Sequence, residues 1–209
     1  MSGARQALAD TTALARIYQI LARAFDYPEA AFWASIGQAR LEATLDRLSP
    51  EEREAEYLAS FETGGVPLYE GLCLDKEGRE GIQEDLLRFY HFFGLRLSGE
   101  TRDFPDHLSA ELEFMGHLLV LEEKARADGR DASPFRLAQR DFLARHLARW
   151  VPELCTRMDR RGLASDYRRL AGWLDRLVSG HLDDLEAALG SAPSPPGVAA
   201  EALVEGARP

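Results

Sequence analysis

The sequence predicts an all-α protein, one helical bundle of about seven to nine helices. Three observations carry this reading. Apolar residues recur at helical spacing in most segments, as in Leu14, Ile17, Tyr18, Leu21 and Phe25. Helix-start signals repeat along the chain at Ser49-Pro50-Glu51-Glu52, Ser133-Pro134 and Ser165. There is no convincing pair of alternating runs joined by a hairpin turn, and no internal repeat.

Taken in order, a first amphipathic helix is expected from about Arg5 to Asp26 and is broken at Tyr27-Pro28, because the proline disfavours a helical residue before it. A second follows from Pro28 or Glu29, with Phe32, Trp33 and Ile36 inward, then Leu41, Leu45 and Leu48. The capping box at Ser49 opens a third, through Tyr57, Leu58 and Phe61. Thr63 to Gly78 lacks a helical pattern and holds four glycines before Gly78 or at it, around Val66-Pro67-Leu68-Tyr69; an ordered, functional loop is expected there. Ile82, Leu86, Phe89, Tyr90 and Phe93 form a fourth helix from about Gly81, ended by Gly94. Leu95 to Asp103 connects to a long helix running to about Ala127, and Asp128-Gly129-Arg130 is a turn. The next helix, capped by Ser133, carries Phe135, Phe142, Leu143, His146 and Trp150 until Pro152 interrupts it; a short helix with Leu154 and Met158 follows. Ser165 caps the last, through Tyr167, Trp173 and Leu177 to Leu189. Residues 1–189 thus read as one helical domain, and the Pro-, Ala-, Gly- and Ser-rich residues 190–209 as a disordered tail.

A chain of 209 residues has room for a sizeable core, and its formal net charge of −10 argues against general nucleic-acid binding and favours a basic partner. Cys73 and Cys155 are far apart without CxxC spacing, so neither a disulfide framework nor a cysteine zinc site is indicated. The N-terminus has no unbroken apolar region, and no stretch of about 18 apolar residues occurs. A cytoplasmic protein is expected.

The chain is organised around Phe104 to His117. Pro105 suits the first turn of a helix, and Asp103 and Asp106 suit its positive end. At about 100° per residue, Leu108, Leu112, Met115 and Leu119 share one side, widened by Phe114, Leu118 and Leu121 into a broad apolar arc. His107 and Glu111 fall inside that arc, either as a hydrogen-bonded pair that fixes the helix entry or as lining of a groove. Asp106, Glu113 and His117 line up on the opposite side, as a solvated face.

No HExxH, Walker A or GxGxxG pattern and no GxSxG elbow is present, and none of the five histidines pairs with another at i+4. No catalytic residue, metal site or resident cofactor is therefore expected. The buried helix and the aromatic loop suggest a protein that holds a helix or extended peptide of another chain.

Three segments carry a resemblance. Glu56-Tyr57-Leu58-Ala59-Ser60-Phe61 with Pro67-Leu68-Tyr69-Glu70-Gly71 is similar to an aromatic segment and Pro–aromatic loop. Phe104 to Met115 is similar to a PDH-x₃-E-L-x-F-M signature, and Ala138 to Pro152 to an FLxxHLxxWxP segment. In this order they resemble the TorD/DmsD/NarJ superfamily of redox-enzyme maturation chaperones, closest to the chaperones of type II DMSO-reductase-family molybdoenzymes. The resemblance implies a TorD-like fold and no enzymatic activity. It implies a partner, the apo catalytic subunit of a molybdoenzyme, bound in some branches at its N-terminal twin-arginine signal while the bis-molybdopterin guanine dinucleotide cofactor is inserted and export is delayed. Cofactor-delivery proteins are further partners to expect. By the same resemblance, Tyr69, Glu70, Asp106, His107, Glu111 and Phe114 are the client-binding set, with Asp106 meeting a guanidinium, His107 orienting it and Tyr69 packing on an apolar segment. Phe61, Pro67, Met115, His146 and Trp150 support the groove or core. A stable subunit of the redox enzyme and a nucleotide-dependent enzyme are the alternatives.

Overall fold

Helices are built here by packing rather than by propensity, and the apolar stripes read from the sequence are the faces that meet. The computed structural model describes residues 2–36, 45, 48–62, 65–74, 79–95, 104–162 and 165–191. In chain order these form α1 (Ser2–Ala24), α2 (Ala30–Ile36), α3 (Pro50–Tyr57), a π-helical turn (Leu58–Glu62), α4 (Glu70–Cys73), α5 (Arg79–Phe92), α6 (Leu108–Ala127), α7 (Ser133–Arg145), α8 (Leu147–Arg161) and α9 (Asp166–Leu189). Among the described residues no strand is present beyond one isolated bridge, and no helix is long and apolar enough to cross a membrane. The all-α bundle and its TorD-like class stand as expected.

Helix α6 is the axis. Leu108, Leu112, Phe114, Met115 and Leu118 are fully buried on it. It lies antiparallel along α1: Arg126 reaches Thr11 at 2.9 Å, while Gly116 faces Ala15 and Gln19. A β-carbon at Gly116 would stand 3.1 Å from Gln19 Cγ, so the glycine sets the close approach of the two helices. Two aromatic groups fill the bundle. Phe25, Tyr57, Phe61 and Tyr167 meet edge-on or tilted between α1, α3 and α9. Phe89, Tyr90, Phe114 and Phe142 do the same between α5, α6 and α7.

The capping box at Ser49 and the cap at Ser165 form as read, the former with both reciprocal hydrogen bonds. Three readings need correction. Pro152 does not interrupt a helix: it sits inside α8, and the break falls six residues earlier at His146, with φ −122° and ψ −94°. One missing backbone donor near the start of a well-packed helix is tolerated, whereas His146 leaves helical geometry to reach a buried carboxylate, described below. At the start of α7, Ser133 is already helical, and Asp131 accepts its N–H at 2.9 Å. Pro105 and Asp106 precede α6 in a turn, and His107 caps the helix, its ring nitrogen accepting the Ser109 N–H. Leu41 and the Leu95–Asp103 connection from residue 96 lie outside the described residues, as does the tail from residue 192.

Candidate functional site

The loop read as functional is ordered over residues 65–74 and is stitched to the entry of α6. Tyr69 and His107 form an antiparallel bridge; the Glu70 N–H donates to Asp106 O and the Leu108 N–H to Leu68 O, both at 2.9 Å. Gly65 lets the loop start flush against the π-helical turn, where a β-carbon would overlap the Ser60 carbonyl. These contacts bring the two separate motifs into one assembly.

Asp106 is its anchor. The outward position expected from helix counting is overturned: the residue is 0% exposed, because the turn ahead of α6 folds its side chain under α5. Its carboxylate accepts from Arg79 Nε at 3.0 Å, Arg79 Nη2 at 3.3 Å, Gln83 Nε2 at 2.8 Å and the Gly71 N–H at 3.3 Å. A bidentate guanidinium and two neutral donors satisfy a buried charge that alone would be very costly. Arg79 is 24% exposed on its side chain, and its guanidinium lies over Phe104 at 4.6 Å and Tyr69 at 5.2 Å. Phe104 is 53% exposed and meets the half-buried Tyr69 edge-on; the Tyr69 ring also stands edge-on to His107 at 4.9 Å. The surface here is thus two aromatic rings holding a guanidinium above a buried acid.

Behind this rim is a second layer of buried polar groups. Glu70 Oε2 is hydrogen-bonded to His146 Nδ1 at 2.9 Å, and His146 Nε2 stands 3.2 Å from Asp85. Asp85 also pairs with Arg145 and, at 3.1 Å, with Arg88. Burial pulls the His146 imidazole down, but the Asp85 and Glu70 carboxylates outweigh it and hold the pKa above its ordinary value. Glu111 accepts the Trp150 indole N–H at 3.0 Å. Burial, with the Glu70 carboxylate second, pushes Glu111 well above the usual carboxylate range. One oxygen each of Glu70 and Glu111 has no hydrogen-bond partner. The nearby Cys73 thiol is raised by burial to about 12 and donates to Pro67 O at 3.2 Å, which makes it a structural group rather than a nucleophile.

The structure therefore gathers Pro67, Tyr69, Glu70, Asp106, His107, Glu111, His146 and Trp150 around one seam. Of these, Tyr69 and Pro67 reach the surface in part, while the other six are buried. Phe114 and Met115 are fully buried core, and Phe61 belongs to the aromatic group under α9. Sequence reasoning missed Arg79, Gln83 and Asp85. The i, i+4 pair Arg79 and Gln83 on one helix face was the available signal for a buried acceptor, but a partner from 23 residues away is not visible by counting. Among the described residues no group of three or more His, Cys, Asp or Glu side chains is arranged to hold a metal ion.

The family described as nitrate reductase delta subunit matches residues 22–156. Over 173 residues, 81% of this chain and 88% of the relative, the sequence is 46% identical to the selenate reductase assembly chaperone protein of Thauera selenatis. With the same coverage it is 42% identical to the chlorate reductase assembly chaperone protein of Ideonella dechloratans. It is 34% identical over 168 residues to the dimethyl sulfide dehydrogenase assembly chaperone protein of Rhodovulum sulfidophilum, 68% of this chain and 67% of that protein. The seam joining the Pro–aromatic loop to the Asp-His turn lies within the matched region, and the chain belongs to the nitrate reductase delta subunit family, the TorD/NarJ group that its motifs resemble.

Proposed function

We propose that this protein is a system-specific cytoplasmic chaperone without catalysis of its own. It binds the apo catalytic subunit of a type II DMSO-reductase-family molybdoenzyme and holds it for insertion of bis-molybdopterin guanine dinucleotide before export. Relatives named as assembly chaperones support the class. The observation that carries the binding reading is the aromatic rim of Tyr69 and Phe104 around a guanidinium, with Asp106 beneath it. The acid and the two rings that hold this guanidinium suit an arginine followed by apolar residues, the chemistry of a twin-arginine signal, and the acidic chain steers a basic peptide toward them. The buried Glu70 and Glu111 serve by holding the seam in place, Phe114 fills the core, and Tyr69, with Asp106 and His107 behind it, faces the client. The family's description as a subunit favours one second reading, a component retained in the mature enzyme.

The test is capture of the tagged protein from its host, with mass spectrometry and metal analysis of what accompanies it. The expected companion is a molybdoenzyme catalytic subunit lacking molybdenum. Cofactor-replete client in a strain deleted for this protein overturns the proposal, and equal stoichiometry in the purified active enzyme selects the subunit reading.

A further inference from the structure

We propose that Arg79 is an internal ligand of the guanidinium site on Asp106, which an arginine of the client displaces when it binds. The inference rests on the proposed client binding for its biological occupant, and on the geometry alone for the site.

Four observations lead to it. Asp106 is expected to meet a client guanidinium, yet in the free chain a guanidinium of this same chain already fills it by two hydrogen bonds. Arg79 is the more exposed member of the ion pair: its side chain is 24% accessible against 0% for Asp106, so the arginine is the cover and the acid is what it covers. Among the described residues, the cover is held from above by the faces of Tyr69 and Phe104, one half-buried and the other 53% exposed, which a second guanidinium can use equally well. The arginine's stem passes directly over Gly71, where a β-carbon would overlap Arg79 Cγ and Cβ. Gly71 is in helix α4 and has no positive φ, so the chain does not need glycine there for its backbone. The glycine leaves room for the arginine's stem and, at 3.1 Å, for Asp106 Oδ2 beside it.

When Arg79 swings out, Gln83 and the Gly71 N–H remain on Asp106, each supplying one neutral donor. The vacated place asks for a planar cation with two parallel N–H groups. An ammonium ion is a poorer substitute, lacking the fork and the flat face. The free protein thereby keeps its acid neutralised and its aromatic rim filled until a client arginine arrives. The apparent affinity for client is reduced by the fraction of time the internal arginine is seated.

The test uses the full chain and two variants, Arg79→Ala and Gly71→Ala. The first removes the internal ligand; the second keeps it but crowds its stem. Two probes are applied: ethylguanidinium, with ethylammonium as control, read by the shift of the thermal unfolding midpoint, and a synthetic peptide with paired arginines followed by an apolar stretch, read by titration calorimetry. Ethylguanidinium is expected to raise the midpoint of Arg79→Ala relative to its effect on the natural protein, and ethylammonium is not. The peptide is expected to bind both variants about tenfold more tightly than the natural protein. If ethylguanidinium leaves Arg79→Ala no more stabilised than the natural protein, the site does not accept an outside guanidinium and the proposal falls. Peptide binding by the natural protein that is unchanged or weakened in both variants also overturns it, while leaving the client reading intact. Rescue by ethylguanidinium without peptide binding to any form upholds the internal ligand and removes the client reading instead. Should Arg79→Ala fail to fold, Gly71→Ala carries the same two measurements.

Discussion

Replacing Glu111 with glutamine separates a neutral buried acid from a buried charge. The side chain is fully buried, one oxygen accepts the Trp150 N–H at 3.0 Å, and the other has no hydrogen-bond partner. Burial and the Glu70 carboxylate raise its pKa well above the ordinary value, and the Trp150 hydrogen bond only partly opposes them. A glutamine keeps the size and the acceptor but does not ionise. Where the acid is protonated in both folded and unfolded chains, the two proteins should differ by no more than about 1 kcal/mol. The sign at higher pH follows from proton linkage. The folded pKa lies above the unfolded one, so between them the native state holds a proton that the unfolded chain has lost. Stability is complete below the unfolded value and falls as pH rises toward the folded value, by about 1.4 kcal/mol per pH unit. Glu111→Gln lacks this loss. Its stability relative to the natural protein should therefore grow as pH rises above the ordinary carboxylate range. Glu70 and His146 are present in both proteins, so the difference reports position 111 together with its coupling to Glu70. Urea unfolding followed by circular dichroism across this range measures it. A difference that does not change with pH, or a glutamine form most destabilised at neutral pH, would refute a raised pKa at position 111.

Three further outcomes are expected. His181, whose Nδ1 shares a hydrogen bond with the Tyr18 hydroxyl at 3.0 Å, is lowered by burial to about 4 from an ordinary 6.5. Its contribution is present above the ordinary value and lost as pH falls toward the folded one, so His181→Gln should remove roughly 3 kcal/mol of acid destabilisation across that window, read by unfolding at stepped pH. Leu112→Ala opens a cavity on the fully buried face of α6 and should cost about 3 kcal/mol, seen as a lower urea midpoint at an unchanged slope. Phe104→Ala, at an exposed rim ring, should change stability by no more than about 0.5 kcal/mol. The same variant should weaken capture of the apo catalytic subunit about tenfold in quantitative pull-down, and undiminished capture would remove the rim from the interface.

The helical class and most helix starts were legible because they are local: Ser49, Ser165 and the apolar stripe of α6 act within a few residues. The loop's order was also legible, since Leu68 and Tyr69 are not residues a solvated linker needs. The outward placement of Asp106 failed because helix counting extends a period past the point where the helix begins. A turn of two residues, Pro105 and Asp106, reverses the side chain's direction, and Arg79 from another helix fixes it there. The helix break was misplaced for a similar reason. Proline carries a visible penalty at position 152, whereas the geometry of His146 is set by Glu70, 76 residues away. Burial of most of the expected client-binding set was hidden too, because a polar residue's partners, not its type, decide whether it can leave water.

The bridge between Tyr69 and His107 has a further consequence for what this loop can tolerate. Along the bridged segment Leu68 is buried, Tyr69 reaches the surface and Glu70 is buried again, so neighbouring residues have opposite destinations. Substitution at any one position alters one partner. Loss or gain of a single residue would exchange them all, sending the acid outward and the tyrosine ring into the space beside His146. The segment is thus a ruler more than a recognition sequence. Its count of residues from Val66 to Glu70 is the quantity under constraint.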